Sequence, residues 1–161
     1  MDRNALPLAT KDLLHQFKTR QFRTADEIEA FALAADPVGT ADLLKLLDLL
    51  TARGATSDTA AHRGRCAMFG RLCETTTDRG LFMPLVRALK TADPVLRPVL
   101  LAVLPRVNNV ADHGEVCALL RSSDAAQRHL AVQILAPIAG RTVFELVSQM
   151  VGEASFPGRL E

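Results

Sequence analysis

The chain has no tryptophan and no tyrosine, and seven phenylalanines are its only aromatic rings among 161 residues. So few rings argue against a sheet-packed core, and against a surface that stacks on unpaired bases. No apolar run approaches the roughly 20 residues needed to cross a bilayer. The opening stretch lacks the basic-then-apolar pattern of a secretory leader. Cysteines number three, an odd count that suits a reducing compartment better than a disulfide framework, so a cytoplasmic protein is expected. Neither sign of charge dominates. The 19 basic and 18 acidic residues leave a net charge of +1, too little for a global field that attracts nucleic acid or anionic lipid.

What is present is helix-forming. The apolar fraction is 48%, supplied mainly by Leu, Ala and Val, and no segment alternates with period two for long enough to argue a strand. Thr10 can cap a helix carrying Leu13, Leu14 and Phe17. Thr24 with Glu27 is a capping-box pattern. From Thr40, Leu43, Leu44, Leu46, Leu47 and Leu50 alternate with Asp42, Lys45 and Asp48, and Ser57 or Asp58 opens the next helix. Further helices are expected over 81–91, 94–107, 112–121, 125–138 and 143–152, with Pro105 and Pro137 bending or ending theirs.

An arginine recurs at an interval of 31 residues. Arg97, Arg128 and Arg159 each lie four residues after Asp93, Asp124 or Ser155, residues suited to start a helix. The apolar register follows the same interval: Leu85, Val86 and Leu89 map to Val116, Cys117 and Leu120, then to Val147, Ser148 and Val151. Leu100 maps to Ala131, and Leu104 to Leu135. A fixed period of this length is the mark of a stacked repeat. One interval before Arg97 the arginine is replaced by Cys66, while Phe69, Leu72 and Cys73 keep the register.

The stretch Leu89-Lys90-Thr91-Ala92-Asp93-Pro94-Val95-Leu96-Arg97 resembles a HEAT repeat, and so does Leu120-Arg121-Ser122-Ser123-Asp124 leading to Arg128. The resemblance covers about 57–161, and loosely 36–56. It implies an all-α, right-handed solenoid of stacked antiparallel helix pairs. Residues 1–35 lie outside the period and are expected to form an N-terminal helical cap, with repeats over 36–161. Asp93, Arg97, Asp124, Arg128 and Arg159 are then a structural ladder, each arginine meeting an aspartate of a neighbouring unit. Ser155 and Arg159 begin a unit that stops at Glu161. The sequence is therefore expected to be the N-terminal piece of a longer protein, with an uncovered face of Val143, Val147, Met150 and Val151.

Chemistry-bearing patterns are sparse. There is no Gly-x-Ser-x-Gly, no phosphate-cradling glycine loop and no carboxylate pair placed for acid–base work. His62, Cys66 and Cys73 share one helix face, with His113 or Cys117 in an adjacent unit. Without a close-spaced ligand pair they read as core, and neither a metal nor another cofactor is expected. The region 53–90 holds seven basic groups against three acidic ones, and Arg63, Arg65 and Arg71 are its candidate partner-binding residues. A non-enzymatic protein-interaction scaffold is the expectation, serving as the docking module of a larger regulatory or signalling protein. Its partner is another protein or peptide, with self-association through the 143–161 edge as a further route. The alternative is a HEAT-like DNA-binding protein using the basic 63–87 region, as a similarity to alkylation-repair glycosylases of that architecture allows. The near-zero net charge and the missing Trp and Tyr weigh against it.

Overall fold

Side chains that bond their own backbone set where the helices begin. The Thr24 hydroxyl accepts the Glu27 N–H at 3.2 Å, and the Glu27 carboxylate accepts the N–H groups of Thr24 and Arg23 at 3.2 and 2.7 Å. This reciprocal box satisfies donors that a helix start leaves free. The computed structural model describes residues 10–35, 37–52, 59–138 and 140–152. Among them lie nine α-helices: α1 (Thr10–Thr19), α2 (Ala25–Ala35), α3 (Thr40–Thr51), α4 (Ala60–Leu72), α5 (Phe82–Leu89), α6 (Leu96–Val103), α7 (His113–Ala118), α8 (Ala125–Leu135) and α9 (Arg141–Gly152). No strand occurs among the described residues. The protein is all-α.

Caps and prolines account for the bounds. Ser57 and Asp58 fall outside the described residues; Thr59 caps α4, its hydroxyl accepting the His62 N–H at 3.1 Å. One Asp93 oxygen accepts the N–H groups of Val95 and Leu96 at 2.8 and 2.9 Å, and Asp124 accepts that of Ala126 at 2.8 Å. α6 stops at Val103, two residues before Pro105, and α8 tightens into a 3-10 turn over Ala136–Ile138, around Pro137.

Alternate helices pack on one another. α2 lies against α4 and α4 against α6, while α1 meets α3, α3 meets α5 and α7 meets α9. α3 also touches α4, α5 touches α6 and α7 touches α8. A single apolar core runs from Leu13 to Met150. The 31-residue register is visible in it: Leu85, Val86 and Leu89 are buried, as are Val116, Cys117 and Leu120. At the amino-terminal end Phe22 bridges Phe17 and Phe31, with ring centroids 6.4 and 5.1 Å away. Two glycines of α4 set the closeness of its neighbours. A Cβ on Gly64 would stand 2.1 Å from the Phe22 carbonyl oxygen, and one on Gly70 would stand 3.0 Å from a Val99 methyl.

The expected apolar face of α9 is corrected. Val143 and Met150 are buried, Val147 is half-buried, and only Val151 of the four is exposed, beside the largely exposed Phe144. α9 packs on α7, and that contact turns the helix so that Val143 and Met150, seven residues and two turns apart, face inward. The register that would bury Val147, Ser148 and Val151 is lost there.

Candidate functional site

The candidate basic residues all start from α4, but the fold sends them to different tasks. Arg71 reaches across to α2, where its Nε and Nη2 donate to the two Glu29 oxygens at 2.6 and 2.8 Å. Its Nη1 lies 3.1 Å from Glu74. This fork matches the planar geometry of a carboxylate, and it holds the Glu29 carboxyl below its ordinary pKa. Arg65 turns the other way, and its Nη1 donates to the Lys18 carbonyl at 3.4 Å, near the end of α1. Arg63 is exposed. The three do not converge on one site. The sequence marked Arg71 by its basic neighbourhood, but Glu29, 42 residues earlier, left no local signal.

The ladder residues also divide. Arg128 donates through Nη1 to the carbonyls of Ser122 and Ser123 at 2.8 and 2.9 Å, and Arg97 reaches the Ala92 carbonyl at 3.5 Å. Each arginine therefore folds back on the turn of its own unit, where the preceding helical segment leaves carbonyls free. No ion pair joins Arg97 to Asp124 among the described residues; the two line a cleft of about 220 Å³ over Leu89 and Leu130. The arginine-to-neighbouring-aspartate ladder is corrected accordingly. Arg159 lies outside the described residues.

A polar contact between like positions of successive units joins His62 and Asp93. The His62 imidazole is buried on α4, with Nε2 2.8 Å from one Asp93 oxygen and 3.4 Å from the Cys66 sulfur. Burial works against an ionised Asp93, but the N–H groups of Leu96 and Val95, together with His62, outweigh it and hold the carboxyl below its ordinary range. Burial, reinforced by the Asp93 charge and opposed by Arg65, pushes the Cys66 thiol up to about 12, and burial opposed by Arg106 does the same to Cys73. Such thiols are poor nucleophiles at neutral pH. Of the residues weighed as ligands, His62 and Cys66 meet. His113 instead lies tilted against Phe82, centroids 6.1 Å apart, and shares a 2.6 Å hydrogen bond with Asn108. Among the described residues no group of three His, Cys, Asp or Glu side chains is arranged to hold a metal ion.

Two clefts of mixed polar and apolar lining flank Arg71. One lies between α2 and α4 over Ala32, Leu33, Val38 and Leu72. The other, of about 240 Å³, lies between α4 and α6 over Ala67, Gly70, Val99 and Ala102, with Glu74 and Arg106 of opposite charge at its rim. Leu33 is 66% exposed, a large apolar side chain left in water beside a cleft. Arg106 lay outside the basic cluster that the sequence marked, and nothing in the spacing pointed to it.

Fold and surface together define an all-helical protein whose described polar clusters cap helices and join seams, with shallow clefts of mixed lining between the helices. Comparison of the chain with protein-family models, with curated proteins and with solved structures finds no match. No helix of the described residues is long and apolar enough to cross a membrane.

Proposed function

We propose that the chain is a HEAT-like right-handed α-solenoid, with residues 1–35 as its cap, acting as a non-enzymatic scaffold that docks another protein or peptide. The observation that carries this reading is the contact of like positions. His62 with Asp93 and Phe82 with His113 are each 31 residues apart, and each pair touches. Helix-pair units one repeat long that lie against one another build a long surface rather than a pocket, and such surfaces are used to hold partners. The disposition of the polar groups agrees. Asp93, Asp124, Arg97 and Arg128 satisfy backbone groups, and Arg71 is matched by carboxylates. That last pairing also weighs against the DNA-binding alternative, because phosphate contacts need cations not already neutralised. Service as the docking module of a larger regulatory or signalling protein in the cytoplasm belongs to the same proposal.

Photo-crosslinking in the cells that make the protein tests it. A benzoyl-phenylalanine placed at Leu33 is expected to trap a protein partner in a discrete heavier band. Failure to trap any protein from Leu33, Ala102 and Phe144 alike defeats the scaffold reading. Tight, steeply salt-dependent binding of random duplex DNA supports the alternative instead.

A further inference from the structure

Arg65 and Lys18 border a cleft of about 220 Å³ where α1, α3 and α4 meet. The buried Phe17 ring lies beneath it, and the half-buried Leu49 with the exposed Ala52, at the end of α3, form its apolar side. Every charged side chain lining it is a cation. The α4–α6 cleft differs, for there Glu74 answers Arg106. Asp48, four residues before Ala52, is exposed and outside the lining; set against the two cations it would still leave a positive balance. Arg65 gives one N–H to the Lys18 carbonyl at 3.4 Å, which leaves most of its donors free, and it has no carboxylate partner among the described residues. The exposed Lys18 ammonium makes neither a hydrogen bond nor an ion pair there. Two like charges bordering one cleft repel. An anion between them relieves that repulsion, whereas a cation adds to it. The apolar side asks for more than charge, because water over Leu49 and Ala52 is displaced by an apolar side chain. Nucleic acid brings the charge alone, and the ring at this cleft, Phe17, is buried and offers a base no face to stack on.

We propose that the cleft between α1, α3 and α4 binds an acidic, amphipathic peptide segment of a partner protein, placing a carboxylate between Lys18 and Arg65 and an adjoining apolar side chain on Leu49 and Ala52. The inference rests on the scaffold reading above and gives that scaffold a site and a partner chemistry. The paired cations select the sign of the occupant, and the apolar contact adds affinity that salt does not screen. Lys18 belongs to α1 and Arg65 to α4, so the bound carboxylate also ties those two helices together.

The test is selection on the full chain from a displayed library of random peptides about a dozen residues long. Wild-type protein is expected to enrich peptides that combine Leu, Ile, Met or Phe with Asp or Glu. Synthetic copies are expected to bind Ala52→Leu, which plugs the cleft from an exposed position, and Lys18→Glu, which reverses one exposed charge, roughly tenfold or more weakly. Selection on the double variant Lys18→Glu, Arg65→Glu is expected to replace the acidic residues by Lys or Arg, a reversal that a merely damaged fold does not produce. The proposal is overturned if no peptide is enriched, if enriched peptides carry no acidic bias, or if they bind both single variants as tightly as wild type. It is equally overturned if the cleft is filled by a second copy, seen as a concentration-dependent dimer that Ala52→Leu abolishes, or by duplex DNA whose binding Lys18→Glu abolishes. Any of these failures beside a positive crosslink at Leu33 removes the cleft and leaves the scaffold standing; failure of both removes the scaffold as well.

Discussion

His62 and Asp93 stand one repeat apart in the chain and 2.8 Å apart in space. One Asp93 oxygen faces the imidazole while the other accepts two backbone N–H groups, so a single carboxylate closes the seam and starts α6. Asp93→Ala leaves the buried His62 unpaired and removes the α6 N–H acceptor. We expect a loss of about 2–3 kcal/mol by urea unfolding. Asp93→Asn, which keeps an acceptor for the backbone, is expected to lose about half as much. Equal losses for the two variants would show that the His62 contact, not the cap, carries the effect.

Gly64 and Gly114 are both helical, and they separate packing from propensity. A Cβ at Gly64 meets the Phe22 carbonyl at 2.1 Å, and backbone cannot step aside cheaply; at Gly114 nothing lies within 4 Å. Gly64→Ala is expected to destabilise by about 3 kcal/mol, and Gly114→Ala to stabilise by about 0.5 kcal/mol. Thermal unfolding of the two variants against wild type decides it. A neutral Gly64→Ala would mean that the link between α1 and α2 does not lie on α4.

Arg128 ties down two turn carbonyls from a half-buried position. Its removal in Arg128→Ala is expected to cost about 1–2 kcal/mol. Amide exchange should quicken around 119–128 before it does elsewhere. A change within a few tenths of a kcal/mol would leave the arginine no structural part.

Acid should weaken the fold in two steps. Burial lowers the His113 pKa below 6.5 despite the nearby Asp112. Its contribution is complete above pH 6.5 and is lost as the pH falls through the lower folded value. Asp93, with a folded pKa below 3.8, contributes fully above that pH and loses its contribution only as the pH falls further. Unfolding free energies measured from pH 8 to 3 should therefore begin to fall below pH 6.5, and His113→Phe should flatten that first step. An unchanged slope in the variant places the step elsewhere.

The three thiols should resist labelling in the native protein. All are buried, and two are pushed up to about 12. Ellman's reagent at pH 8 is expected to react slowly before unfolding and with three equivalents in urea. Fast native reaction of even one thiol contradicts the core placement of Cys66, Cys73 and Cys117.

Helix class, most helix starts and the buried register of the middle units were legible in the sequence, because they depend on short-range chemistry. A hydroxyl or carboxylate caps N–H groups two or three residues away, proline beyond the first turn ends a helix, and a 31-residue period marks the apolar positions that must face inward. Thr24 with Glu27, Asp93, Asp124 and the stop before Pro105 all belong to that class. The tertiary structure alone decided which groups meet across seams. Arg71 found Glu29 through the approach of α4 to α2, Gly64 proved to be the seat of a carbonyl, and His62 turned out to be the partner of Asp93. It also turned α9 away from the register that its own sequence continued, and left Arg106 beside an open groove. Such pairings depend on the distance and rotation between helices, which the packing of many side chains sets together and no local spacing encodes.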